Sequence, residues 1–207
     1  MLVFIVGLLW YYKPSLYFTD KAGWYTDMGF EYFNIYKYQK AFEYANKALS
    51  LDPDKLKARE LRAKIFIRWD RYYFAEKELG YLLADPSYLP SYYYYKGLLK
   101  LKQNSLNESI TYFEKSIVED PLFAPGYFYI GLVYLKKDDL DNALAYFNQG
   151  KVYVDQSTDE IGADIHVGLG FVYQKKGLYQ KAEEEFKIAE SLYPNAIDDF
   201  LRFFPIA

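Results

Sequence analysis

The stretch GYFYIGLVYLKKDDLDNALAYFNQG, residues 126–150, holds two apolar segments separated by the polar run Lys136-Lys137-Asp138-Asp139. Ala143, Tyr146, Phe147 and Gly150 follow the 3.6-residue period of an amphipathic helix. Gly131 in the first segment and Ala143 in the second are small residues at places where two helix backbones would nearly touch. The stretch therefore predicts a helix, a short turn and a second, antiparallel helix.

The same arrangement recurs at a fixed interval in both directions. Gly29, Ala63, Gly97 and Gly131 are each 34 residues apart, and Gly170 follows after 39. Ala41, Ala75, Ser109 and Ala143 repeat the 34-residue interval, and Ala182 again follows after 39. Both series lengthen by the same five residues at the same place, so the last unit keeps its internal register. Tyr32, Phe66, Tyr134 and Tyr173 stand three residues after members of the first series, and Phe113, Phe147 and Phe186 stand four after members of the second. Pro53, Pro86, Pro121 and Pro194 cannot continue a helix and close four of the units.

A 34-residue period built from these residues resembles the tetratricopeptide repeat, a helix–turn–helix unit. The resemblance covers residues 22–194 and implies an all-α, right-handed superhelical solenoid of antiparallel helix pairs. Five units follow, 22–55, 56–89, 90–123, 124–157 and 158–195, with the extra residues in 155–160. Four positions depart from the pattern. Lys100 replaces the aromatic of the third unit, Arg62 falls where Leu is usual, Asp155 stands where Pro is usual, and Pro86 comes one residue early. Beyond Pro194, Asn195 is placed to N-cap a final helix bearing Ile197, Phe200, Leu201 and Phe204, with Asp198, Asp199 and Arg202 opposite. That segment, 196–207, reads as a capping helix and tail.

Composition removes several chemistries. The chain has 207 residues, among them 25 Tyr, 16 Phe and 3 Trp, with one His and no Cys. A thiol nucleophile, a disulfide framework, a Cys-ligated zinc and an iron–sulfur cluster all need cysteine. Against 25 Lys and Arg stand 28 Asp and Glu, a net charge of −3 that argues against a nucleic-acid partner. His166 is the sole general-base candidate; it sits where Tyr25, Tyr93 and Tyr127 stand in other units, so packing is the better reading. Asp138, Asp139 and Asp141 lack the central Gly and distal Glu of a calcium loop and read as turn and cap residues. Glu183, Glu184 and Glu185 read as a charge run on a solvated face. No catalytic residue, metal site or cofactor is expected, and the chain is read as a non-enzyme.

The resemblance implies that the first helix of each unit lines a concave groove able to hold a peptide or a partner helix. Carried over position by position, the binding set is Phe30, Lys57, Lys64, Arg68, Tyr94, Tyr95, Leu98, Phe128, Tyr129, Leu132 and Phe171. Thr26, Phe30, Ser91 and Tyr95 occupy places where some members carry a carboxylate clamp, so that clamp is absent. What remains is an aromatic groove with a basic edge, suited to a protein or peptide segment with apolar anchors and acidic residues. A carbohydrate- or lipid-handling role and homo-oligomeric self-assembly are the alternatives.

Residues 1–12, MLVFIVGLLWYY, carry no charged side chain and end at Lys13-Pro14. Twelve helical residues reach about 18 Å, short of a bilayer core of about 30 Å. A short or atypical signal or anchor competes with an apolar segment packed on the first repeat. The reading adopted is membrane association or export, in the service of a cell-envelope complex, with a cytoplasmic location as the alternative.

Overall fold

The computed structural model describes residues 20–154 and 160–204. Among them the regular structure is helical, without strands. The chain divides into two compact units, Met1–Pro86 and Ser87–Ala207.

The first unit contains α1 (Lys21–Asn34), α2 (Tyr38–Leu51), α3 (Leu56–Arg68) and α4 (Tyr72–Leu82). These form two hairpins, α1 with α2 and α3 with α4, and α2 and α1 both pack on α3. Asp20 caps α1 through its carboxylate, which accepts from Gly23 N at 2.7 Å and pairs with Lys55 Nζ at 2.7 Å. The core between the hairpins gathers Ala41, Ala45, Leu61 and Ile65, with Phe30, Phe33, Phe42 and Trp69 around it.

The second unit contains α5 (Leu89–Lys102), α6 (Leu106–Glu119), α7 (Ala124–Lys136), α8 (Leu140–Val152), α9 (Glu160–Lys175), α10 (Tyr179–Leu192) and the short α11 (Ala196–Phe203). Three hairpins, α5/α6, α7/α8 and α9/α10, stack in order through α6 on α7 and α8 on α9. First helices also touch, α5 with α7 and α7 with α9. Its two clusters centre on Phe113, Ile130 and Val133, and on Phe128, Phe147, Val167 and Phe200.

The periodic small residues are buried as the hairpin packing requires: Ala41, Ala75, Ser109 and Ala143 are wholly buried and Ala182 nearly so. What they face is more specific than backbone on backbone. A Cβ on Gly97, Gly131 or Gly170 would come within 2.5, 2.7 and 2.3 Å of the rings of Phe113, Phe147 and Phe186. The glycine column and the phenylalanine column are one device, a ring laid across a bare backbone.

Each hairpin turn ends in the same way. Tyr36, Asp70, Asn104 and Asp138 have φ of 59°, 53°, 59° and 59°, and Gly177 has φ 75°. The following amide reaches back across the turn, Lys37 N to Tyr32 O at 2.9 Å and Leu178 N to Tyr173 O at 2.9 Å. With Tyr36 N to Phe33 O at 3.0 Å this is a Schellman cap, in which a left-handed residue satisfies the last helical carbonyls. The column at 36, 70, 104, 138 and 177 keeps the 34- and 39-residue spacing, yet only one member is glycine.

Two sequence expectations need correction. Asn195 does precede the final helix, but with φ 68° and no side-chain cap bond; its carbonyl instead accepts from Asp199 N at 3.0 Å. Leu201 is 38 % exposed, and Ala196 and Phe200 take the buried face, with Ile197 and Phe204 packed beside them. Among the described residues no helix is long and apolar enough to cross a membrane. Residues 1–12, the excess at 155–159 and Pro205 lie outside the described residues.

Candidate functional site

In the first unit three of the anticipated binding residues meet. Lys57 Nζ stands 5.6 Å and Lys64 Nζ 5.2 Å from the centre of the Phe30 ring, and Lys64 is 4.7 Å from that of Phe33. Asp27 accepts from Lys57 Nζ at 2.9 Å. The spacing on α3 brings both ammonium groups to a ring contributed by α1, a cation–π arrangement. Arg68 lies exposed at the end of α3. Thr26 is wholly buried and donates to Ala22 O at 2.8 Å, so it belongs to the core and not to a surface.

In the second unit the anticipated aromatics form a continuous ladder. Tyr94 on α5 contacts Tyr95 (4.9 Å between ring centres), Phe123 (5.3 Å) and Tyr129 (5.5 Å). Tyr129 on α7 stacks on Phe113 at 5.3 Å and adjoins Phe128 at 5.0 Å. Leu98 packs in the same cluster as Tyr94 and Tyr129. Phe171 on α9 meets Phe186 at 5.3 Å. Tyr95, Phe128 and Leu132 are corrected: they are 6 %, 0 % and 2 % exposed, so they are core residues in this structure, not open anchors.

For Phe128 the cover is α11. Phe200 stacks on Phe171 at 5.7 Å and adjoins Phe128 at 6.1 Å, while Phe204 meets Phe128 and Tyr129, both at 5.7 Å. The sequence marks Phe200 and Phe204 as one face of a final helix but gives no sign of which surface receives it. That contact joins residues about 70 positions apart and carries no periodic signature.

A second cluster lies between α8, α9 and α10. His166 Nδ1 is 2.5 Å from Glu185 Oε2, and Lys151 Nζ approaches Glu185 Oε1 at 3.4 Å. Burial pushes the Glu185 carboxyl up, but the His166 hydrogen bond and the Lys151 charge outweigh it and hold the group below the usual carboxylate value. His166 and Lys151 border a pocket of about 280 Å³ with Val154, Gly162, Ile165, Ile188 and Leu192. Glu185 is therefore not part of a solvated charge run, as its neighbours Glu183 and Glu184 are.

The turn carboxylates go to separate partners. Asp139 caps α8 through Asn142 N at 3.2 Å, Asp138 accepts from Lys175 Nζ at 3.2 Å, and Asp141 from Lys176 Nζ at 2.5 Å. Among the described residues no group of three or more acidic or histidine side chains is placed to hold a metal ion.

A family model, Tetratricopeptide repeat, matches residues 24–55, 90–121, 124–151 and 163–195. No curated protein sequence matches the chain. Among solved structures, a thermophilic tetratricopeptide repeat protein of Thermus thermophilus superposes with a TM-score of 0.73 at 17 % identity, covering 88 % of this chain and 96 % of that one. Pseudomonas aeruginosa pilF gives 0.65 at 18 % identity, covering 91 % and 94 %. YrrB, described as a tetratricopeptide repeat protein with an unusual peptide-binding site, gives 0.52 at 18 %, covering 84 % and 89 %. At these identities the likeness concerns the fold. With its hairpins, its glycine and aromatic columns and the family match over more than half of its length, the chain belongs to the tetratricopeptide repeat family.

Proposed function

We propose that the protein is a non-enzymatic scaffold of five repeats and a terminal helix, which binds a protein or peptide segment along the faces of its first helices. The observation that carries this is the concentration of ring and cation on those faces: Phe30 with Lys57 and Lys64 in one unit, and Tyr94 continuing into Tyr129 in the other. Rings bury much area at small entropic cost, and ammonium groups beside them select acidic residues in the ligand. That YrrB has a peptide-binding site on a similar fold is consistent with this use. A sugar-stacking role would need open ring faces, whereas Phe128 and Phe171 are covered by Phe200 and Phe204. Attachment to the cell envelope through residues 1–12 is part of the same proposal, carried by sequence alone, and recovery of the protein only in cytosol overturns it.

The test is affinity capture from native extract with the wild type and with Phe30→Ala/Lys64→Glu and Tyr94→Ala variants of confirmed helicity. Loss of specific partners from the variants supports the proposal. An unchanged partner set removes it.

A further inference from the structure

We infer that the face of α7 and α9 carrying Phe128, Tyr129 and Phe171 is a docking site for an amphipathic helix with aromatic side chains one turn apart, and that α11 occupies it in cis. The inference rests on the binding role proposed above and specifies the ligand for this part of the surface.

A helix that merely covered the end of the stack would touch the last hairpin alone. α11 does pack on α9 and α10, but it also reaches back to α7, one hairpin earlier. Its Phe200 meets both Phe171 of α9 and Phe128 of α7, and Phe204, four residues on, closes over Phe128 and Tyr129. Leu132, Leu135 and Val167 belong to the same core. Asp198 and Arg202 of α11 are both exposed, so the helix has the two faces of a groove-bound one. The surface does not stop at α11: Tyr129 leads to Tyr94 on α5, giving a longer partner helix further rings to engage.

α11 is also built to be exchanged. It has eight residues, too few to persist as a helix without its packing, and Asn195 makes no side-chain cap bond. Its hold on α7 is ring against ring, the same contact an incoming helix with paired aromatics would offer. A partner must therefore compete with a tethered ligand, and its apparent affinity falls by the fraction of chains in which α11 is docked.

The experiment titrates a fluorescent peptide of residues 194–207 into the full chain and into full-length Phe200→Ala and Phe204→Ala variants. Wild type is expected to bind weakly and the variants at least about tenfold more tightly. A peptide with both phenylalanines replaced by alanine is expected not to bind any of them. Phe204, only half-buried, keeps the test alive if loss of the buried Phe200 unfolds the unit, and far-ultraviolet dichroism checks each variant. Equal binding by wild type and variants, no binding by a folded variant, or equal binding of the alanine peptide overturns the inference. Wild type that runs as a dimer dissociated by the peptide also overturns it, because the occupant would then come from a second copy. Phe30 and Lys64 lie outside this surface, so failure here leaves the capture experiment on those residues standing, and the converse holds.

Discussion

His166 and Glu185, 2.5 Å apart, stand at the two positions that Tyr127 and Tyr146 hold one hairpin earlier. Each pair is 19 residues apart, and the columns run Tyr25, Arg59, Tyr93, Tyr127, His166 against Tyr44, Glu78, Tyr112, Tyr146, Glu185. Where the first column changes from tyrosine to a basic residue, the second changes to glutamate. Tyr25 and Tyr44 are ring neighbours at 6.0 Å, and Arg59 Nη1 meets Glu78 Oε2 at 3.1 Å. In every hairpin the two positions carry a matched pair, ring with ring or base with carboxylate.

A mixed pair should therefore be worse than either matched one. His166→Tyr alone leaves the Glu185 carboxylate beside a ring, and Glu185→Tyr alone leaves His166 without its acceptor. Each single change is expected to cost about 1–3 kcal/mol and the double change to recover most of both, so the coupling is close in size to the sum of the two single costs. Urea unfolding of the four proteins measures it; additive effects would show that the two positions do not act as a pair.

The same contact sets an acid limit. Glu185 is held below its ordinary value in the folded chain, so its contribution is complete above the unfolded glutamate value of about 4.3 and is lost as pH falls through the folded one. Glu185→Gln is expected to flatten the fall in stability below about pH 4 while lowering stability at neutral pH. A series of thermal melts from about pH 3 to 7 checks this. Parallel curves for the two proteins would show that Glu185 carries none of the acid sensitivity.

Arg62 marks the other charged hairpin. Glu78, 3 % exposed, accepts from Arg62 Nη2 at 2.7 Å as well as from Arg59, while Arg62 Nε is buried without a partner. Removing only Glu78 takes the carboxylate from the partly buried Arg62 and leaves Arg59 its bonds to Pro53 O, and Glu78→Leu is expected to cost about 3–5 kcal/mol. Replacing the set by the residues of the fourth unit, Arg59→Tyr, Arg62→Ile and Glu78→Tyr, is expected to be neutral or stabilising by about 1–4 kcal/mol. Chemical denaturation decides; a triple variant as unstable as Glu78→Leu would show that this hairpin depends on its charges.

How much of this was legible depended on periodicity. The hairpins were, because the columns headed by Gly29 and Ala41 name both helices of each pair and the structure buries them. The departures were visible as departures, but not their remedies: Lys100 turns to Glu108 at 2.8 Å, and Arg62 to Glu78, across a hairpin. In the left-handed column Asp70, Asn104, Asp138 and Gly177 are of the types that enter that conformation and Tyr36 is not, so no single residue type marks it in the sequence. Phe30, Lys57 and Lys64 came together because all three obey the repeat register. Phe128 reads from the register as an open anchor, because the repeat pattern does not say where Phe200 and Phe204 pack.

The left-handed column yields the last prediction. At φ 59°, the Cβ of Tyr36 crowds the following carbonyl, a strain of about 1–2 kcal/mol that glycine lacks. Tyr36 is 49 % exposed and its ring meets Tyr38 edge-on at 6.4 Å, so the packing lost with it offsets part of the gain. Tyr36→Gly is expected to stabilise the first unit by up to about 1 kcal/mol, after the added freedom of glycine in the unfolded chain is counted. Gly177 offers the reverse test: nothing lies within 4 Å of a Cβ placed there, so only the φ of 75° opposes a side chain. Gly177→Ala is then expected to lose about 1 kcal/mol in denaturant titrations. If Tyr36→Gly lowered stability and Gly177→Ala left it unchanged, the backbone conformation would not be what these two turns select for.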